Sequence, residues 1–418
     1  MYWKQESFNH LKKIVFDALE ENSSFHDHSI MGLPATYLDP EIFPADAPFL
    51  CDSPYIKCFI ENPNHIGLHT YHTSLPTFKG TQSIELDLLR ICAEEIYKAE
   101  SGEYDGYVAP GGTECNIQAI WIYREYFKNK FTAKTNEIIV LFSEDTHYSL
   151  YKACNLLGLD FHVLPVNNTN RSIDYISTEK ILDRLISQGN KYIISIANMG
   201  TTMFGSIDDV DALSALYLRK KINFKLHVDA AFGGFIYPFS NPDSTLNFNN
   251  SNIHSISVDA HKMLQAPYGT GIFIIRKDYI DNVITKEASY VEGHDHTLCG
   301  SRSGANPIAT WMILNVHGSE GIKARIATFI EKTDYICNAL NKLNVRYFRN
   351  DSMNIITIRS EDISEDICNR YTLVPNSHTE SPEWWKIVVM DHVNWNLIEK
   401  FISDLGTYRE RYFEVSAA

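Results

Sequence analysis

From about residue 104 onward, short β-branched apolar runs alternate with segments of helical period. Continuous apolar runs are strands buried on both faces, and parallel strands need helical crossovers. The alternation therefore restricts the chain to an α/β fold with a doubly wound, mainly parallel sheet. Runs at 137–142, 161–166, 192–197, 224–228, 253–258 and 271–275 are the expected strands. Residues 114–131, 149–157, 178–187 and 210–218 are the expected helices, with Asp208 and Asp209 placed to cap the last. After about residue 305 the pattern becomes one long helix over 307–343, then strands near 345–348, 354–359 and 385–390, then a terminal helix from Trp395. That reads as a smaller C-terminal α+β domain. The first sixty or so residues are aromatic- and proline-rich, with one helix and little other periodicity. The expected organisation is a segment, 1–65, packing on a second subunit, a large domain, 66–304, and a small domain, 305–418.

Charge and composition narrow the partners. Lys plus Arg total 37 against 52 Asp plus Glu, a formal charge of -15, which argues against nucleic acid as an obligatory partner. No apolar run approaches the roughly 18 residues of a membrane span, and Met1-Tyr2-Trp3-Lys4-Gln5-Glu6 lacks the apolar stretch of a signal peptide. A cytoplasmic location with no membrane partner is expected. The eight cysteines form no C-x-x-C pair and the 16 histidines no H-E-x-x-H, so reduced thiols and no metal are expected.

In a doubly wound sheet ligands bind at the carboxyl ends of the strands, so polar residues just after apolar runs carry the chemistry. Four places stand out. Gly111-Gly112-Thr113-Glu114 turns into a helix whose first amides are free to hold a phosphate. His227-Val228-Asp229-Ala230-Ala231 ends a strand in a carboxylate beside small residues, with room for a flat ligand whose ring nitrogen Asp229 keeps protonated. Ser255-Ile256-Ser257-Val258-Asp259-Ala260-His261-Lys262 ends in a lysine suited to forming a Schiff base. Asp145-Thr146-His147-Tyr148-Ser149 offers an imidazole to stack on a planar ring. Each motif alone also fits an ordinary capping, turn or solvated role.

Taken together, in this order on parallel strands, they describe a pyridoxal 5'-phosphate site. The chain resembles the group II pyridoxal-phosphate-dependent amino-acid decarboxylases of fold type I. The resemblance implies that Lys262 binds the cofactor covalently, Asp229 pairs with the pyridine nitrogen and His147 stacks on the ring. It implies that Gly112, Thr113, Ser255 and His261 hold the phosphate, that Thr201 lies near the cofactor, and that Ala231 lies under the ring. Cys299-Gly300-Ser301-Arg302-Ser303-Gly304 resembles a family segment that approaches the neighbouring active site of a homodimer, making Arg302 a candidate for phosphate or carboxylate contact. The stretch 288–298 resembles the mobile catalytic loop, and Tyr290 is its candidate proton donor.

The implied reaction is decarboxylation of an L-amino acid to its amine. Ser301 and the His294-Asp295-His296-Thr297 stretch resemble bacterial histidine decarboxylases, so histidine is the first expectation for the substrate. Gly111 to Asn116 and Val389 to Val393 look closer to archaeal tyrosine or aspartate decarboxylases. The pocket is expected to include Tyr71, His72, Ser74 and Lys79, where Lys79 suits an acidic side chain and His72 with Ser74 an imidazole. Aromatic, aspartate or glutamate decarboxylation, a sphingosine-phosphate-lyase-like carbon-carbon cleavage and a non-catalytic cofactor-binding role are the alternatives.

Overall fold

The structure, a computed structural model, describes residues 3–22, 46–60, 64–66, 76–284 and 294–416. Its centre is a seven-stranded sheet of β1 (Tyr104–Ala109), β2 (Ile138–Ser143), β3 (Asp160–Leu164), β4 (Tyr192–Asn198), β5 (Asn223–Asp229), β6 (Ile253–Asp259) and β7 (Gly271–Arg276). The spatial order is β1-β7-β6-β5-β4-β2-β3, and β7 alone runs antiparallel to its neighbours. Every residue of β1, β2, β4 and β6 is buried, as expected for a sheet covered on both faces. The six anticipated strands are present within a few residues. The additional strand, β1, is broken in sequence by Asp105-Gly106. A Cβ at Gly106 would lie 2.3 Å from the Phe273 carbonyl oxygen of β7, so close pairing there excludes a side chain.

The helices covering the sheet include α1 (Phe8–Glu21), α2 (Lys79–Arg90), α3 (Gly112–Phe131), α4 (Ser149–Leu157), α5 (Tyr175–Ser187) and α6 (Val210–Arg219). Asp209 caps α6 by accepting from the Ala212 amide at 2.9 Å. Asp208 does not cap it. Its buried carboxylate instead accepts from the amide and the side chain of Asn198, at 2.8 and 2.7 Å, and burial pushes its pKa up to about 6.

The N-terminal helix packs one face on its own chain. Leu11, Val15, Ala18 and Leu19 join the core of their own chain, and Gly80 of α2 approaches so closely that a Cβ would lie 1.7 Å from the Ala18 carbonyl oxygen. The segment before α1 also docks internally, against α7 (Ala305–Lys342), which kinks at Gly318 with φ 61°. There the Trp3 indole donates to the Leu314 carbonyl and the Glu6 amide to the Asn315 carbonyl, both at 2.9 Å. The segment thus takes up carbonyls left near the kink.

The helix α7 starts in the large core, with Ile308, Leu314 and Phe329, and ends in a second one, with Ile336 and Leu340. That second core lies under an antiparallel sheet of β8 (Tyr347–Phe348), β9 (Ile355–Arg359), β10 (Val374–Pro375) and β11 (Trp384–Val388), ordered β8-β9-β11-β10. The last helix, α8 (Trp395–Ser416), adds Ile398, Phe401 and Leu405 to it. Asn64–Ile66 pairs with Ser301–Ser303 in a separate antiparallel ribbon. No helix of the described residues is long and apolar enough to cross a membrane.

Candidate active site

The carboxyl ends of the parallel strands share one edge, and a cleft of about 540 Å³ opens there. Gly111, Gly112 and Thr113 line it at the start of α3, which follows β1 after a single Pro110-Gly111 turn. The Gly112 and Thr113 amides are among the first donors of α3, and an α-helix leaves such donors without internal partners. A Cβ on Gly112 would meet the Asp259 carboxylate at 3.0 Å and the Ala231 Cβ at 3.1 Å, so glycine keeps this cup open.

Asp229 ends β5 inside the cleft. Its Oδ2 accepts from Asn116 Nδ2 at 2.8 Å and its Oδ1 from the Ala231 amide at 3.1 Å. Both bonds come from neutral donors and leave a lone-pair direction on each oxygen for a further partner. His147, one turn after β2, lines the same cleft. Its Nδ1 accepts from the Ser149 amide at 3.3 Å and lies 3.0 Å from Ser149 Oγ, which fixes the ring's orientation. Burial holds the imidazole below its ordinary pKa, against the opposing pull of Asp229, so it is a neutral flat ring at pH 7.

Lys262 sits in the short helix Ala260–Met263 directly after β6. Its Nζ is 3.1 Å from Asp259 Oδ2, and His261 Nε2 is 3.7 Å from the same oxygen. Burial lowers the His261 pKa as well. Asp259 Oδ1 and His261 Nδ1 are buried without a hydrogen-bond partner among the described residues. Buried polar atoms without partners are costly, so they mark a place for a polar group in the cleft.

Lys262, Asp229, His147, Gly112, Thr113, Ala231 and His261 thus converge as anticipated. Other expected residues do not. Ser255 is fully buried, bonded to Tyr123 and to His227, and lies four residues below Asp259 on β6, about 13 Å down the strand. It is too deep to hold a phosphate in the cleft. Thr201 is buried and turned inward, its hydroxyl 2.7 Å from Ser206 Oγ in the turn after β4. Arg302 is buried in an ion pair with Glu85 and donates to the Val108 carbonyl at 2.9 Å, so within its own chain it braces β1 and is not among the described residues that line the cleft, its expected approach being to the active site of a second subunit. Lys79 is exposed, 4.0 Å from Glu21, outside the cleft lining. Ser301 is exposed on the ribbon. Tyr71, His72, Ser74 and Tyr290 lie outside the described residues.

Asn116 and Asp259 are among the lining residues outside the expected set. Asn116 is the direct partner of Asp229, and its signal was its place one helical turn beyond Gly112. Asp259, the partner of Lys262, was legible as the polar residue ending β6.

The residues present fit pyridoxal phosphate. The open cup and first amides of α3 suit its phosphate, Asp229 its ring nitrogen, His147 its face and Lys262 its aldehyde. The family model described as "Pyridoxal-dependent decarboxylase conserved domain" matches residues 68–353. The chain belongs to this decarboxylase family. Pyridoxal phosphate is accordingly the decarboxylase's cofactor, and amino acids are its substrates. It is 42% identical to a tryptophan decarboxylase of Clostridium sporogenes, over 99% of each chain. It is 31% identical to a probable L-tyrosine/L-aspartate decarboxylase of Methanosphaera stadtmanae, covering 82% of this chain and 88% of that one. A solved glutamate decarboxylase of Lactobacillus brevis, 21% identical, superposes with a TM-score of 0.69 over 98% of this decarboxylase and 94% of the other chain, which shows the shared fold type I architecture.

Proposed function

We propose that this decarboxylase converts an aromatic L-amino acid, tryptophan foremost, to its amine and carbon dioxide, as a cytoplasmic homodimer. The observation that carries the substrate is the 42% identity to a tryptophan decarboxylase along 99% of both chains. The described cleft lining supports it. Lys262 is the one lysine or arginine there, while Ile117 and Leu298 supply apolar wall. Lys79, the expected partner of an acidic substrate, is outside it. The histidine reading drew on Ser301, which is also outside the lining. Phe8, Phe49 and Ile56 are solvent-facing in the single chain, as apolar residues covered by a second copy would be.

When bound, pyridoxal phosphate withdraws electrons from the substrate Cα bond that stands perpendicular to its ring. The chain's own residues set up that chemistry. The Asp229 carboxylate holds a proton on a ring nitrogen by charge and hydrogen bond. The neutral face of His147 limits tilt of a ring laid against it, and the α3 terminus attracts the phosphate through its amides and dipole. Asp259, 3.1 Å from Lys262 Nζ, holds the amine in place and offers an acceptor for its proton.

The test is a screen of purified, cofactor-loaded protein against all proteinogenic amino acids, reading carbon dioxide and amine together. Tryptamine as the leading product is the expected result. Product from histidine or aspartate alone would overturn the substrate assignment, and sedimentation of a fully active monomer would overturn the dimer.

A further inference from the structure

Beneath the cleft lies a hydrogen-bonded chain of side chains that the proposed chemistry does not yet use. Asn116 Nδ2 donates to Asp229 Oδ2 at 2.8 Å and to Ser149 Oγ at 3.0 Å. Asn116 Oδ1 lies 2.9 Å from His227 Nε2 and accepts from Ser257 Oγ at 3.1 Å. His227 Nδ1 is 2.7 Å from Ser255 Oγ, which pairs in turn with the Tyr123 hydroxyl. Asn116, Tyr123, His227, Ser255 and Ser257 are all buried, with exposures of 1% or less.

The direction of donation along this chain follows from its end. An ionised Asp229 only accepts, so Asn116 must turn its amide nitrogen toward it and its oxygen away. That oxygen can then only accept, so His227 carries its proton on Nε2. Its bare Nδ1 needs a donor, which is the Ser255 hydroxyl, and Ser255 accepts from Tyr123. Ser149, held by the same Asn116 amide, has its own proton left for His147 Nδ1, 3.0 Å away.

We infer that Asn116 is a positioning residue, the end of a one-way donor relay from Tyr123 through Ser255 and His227, which orients Asp229 and, through Ser149, His147 as one unit. This rests on the reading that Asp229 faces the cofactor's ring nitrogen. The relay acts on a cofactor through Asp229 and His147. Reversing one donor leaves two acceptors, or two donors, facing each other without water to separate them.

The experiment compares pyridoxal phosphate with 1-deazapyridoxal phosphate, which carries CH in place of the ring nitrogen. Dissociation constants and visible absorption spectra across pH are measured for the parent, Asn116→Ala, His227→Leu, His227→Gln and Asp229→Ala. Asn116→Ala and His227→Leu are expected to weaken pyridoxal phosphate by about tenfold or more and to change the pH dependence of its spectrum. For the deaza cofactor that penalty is expected to shrink severalfold. His227→Gln, which replaces the Nε2 donor with an amide, is expected to restore most of the difference. Equal losses for both cofactors in Asn116→Ala, or no loss, would overturn the relay. If Asp229→Ala itself fails to discriminate the two cofactors, the functional reading of Asp229 falls instead. Nitrogen NMR of the parent apoprotein gives a check independent of any variant's folding: an Nδ1–H tautomer at His227 would refute the relay.

Discussion

Replacing Glu85 with Gln removes one charge from a pair that has almost no water around it. The Glu85 side chain is 0% exposed and that of Arg302 is 2% exposed. The carboxylate accepts from both terminal nitrogens of Arg302, from Nη2 at 3.1 Å, and from the Val108 amide at 2.8 Å. Gln at this position keeps an acceptor for Val108, while Arg302 loses both the compensating charge and the acceptor for its Nη2. Breaking a buried pair from one side costs about 3–5 kcal/mol. At the usual unfolding entropy per residue, a chain of 418 residues loses about 1 °C of Tm per kcal/mol, so Glu85→Gln should lower Tm by about 3–5 °C. Calorimetry of the apoprotein at one fixed concentration measures this, since Tm shifts with ligand and with protomer concentration. The double variant Glu85→Gln/Arg302→Met removes both charges of the pair and should recover part of the loss. A single variant within about 1 °C of the parent, or a double variant less stable than the single, would refute the reasoning.

Further perturbations test the site and its surroundings. Gly112→Ala places a methyl 3.0 Å from the Asp259 carboxylate, and should weaken cofactor binding by about tenfold in a fluorescence titration while moving Tm little. Lys79→Ala should leave the relative rates on acidic and aromatic amino acids unchanged in a competition assay, because its amine lies outside the cleft. Asp208 and His227 make opposing contributions to pH dependence. Burial raises Asp208 from 3.8 to about 6, so stability falls as pH rises through that window; burial lowers His227 from 6.5 to about 4, so stability rises with pH between those values. Asp208→Asn should therefore unmask a urea midpoint that climbs from pH 4.5 to 6.5, and a flat or falling midpoint would contradict the assignment.

Much of the site was legible because parallel strands end in a stereotyped way. An apolar run followed by a polar residue places that residue at the sheet's carboxyl edge, and Asp229, Lys262 and His147 follow this rule. The residues that the structure sets away from the cleft depend on depth or on partners far away in sequence. Ser255 and Asp259 share a face of β6 because side chains alternate with period two, but sequence does not say which of them reaches the cleft. Arg302 lies 217 positions from Glu85, and only packing of α2 against β1 brings the two together. Lys79 is likewise set by the close packing of α2 on α1 at Gly80 and Ala18.

The sequence alone determined the fold class, the cofactor class and a set of polar groups that the fold gathers in one cleft, because strand patterning, glycine turns and strand-end polar residues are local signals. Tertiary structure decided which polar residues face the cleft and which are braced beneath it. Asn116 illustrates the difference. Its neighbours in sequence mark a glycine turn into a helix, but its partners are His227, Ser257 and Asp229, contributed by two strands more than a hundred residues away. Hydrogen-bond direction in a buried network is a property of the whole set of partners, and such a set exists only once the chain has folded.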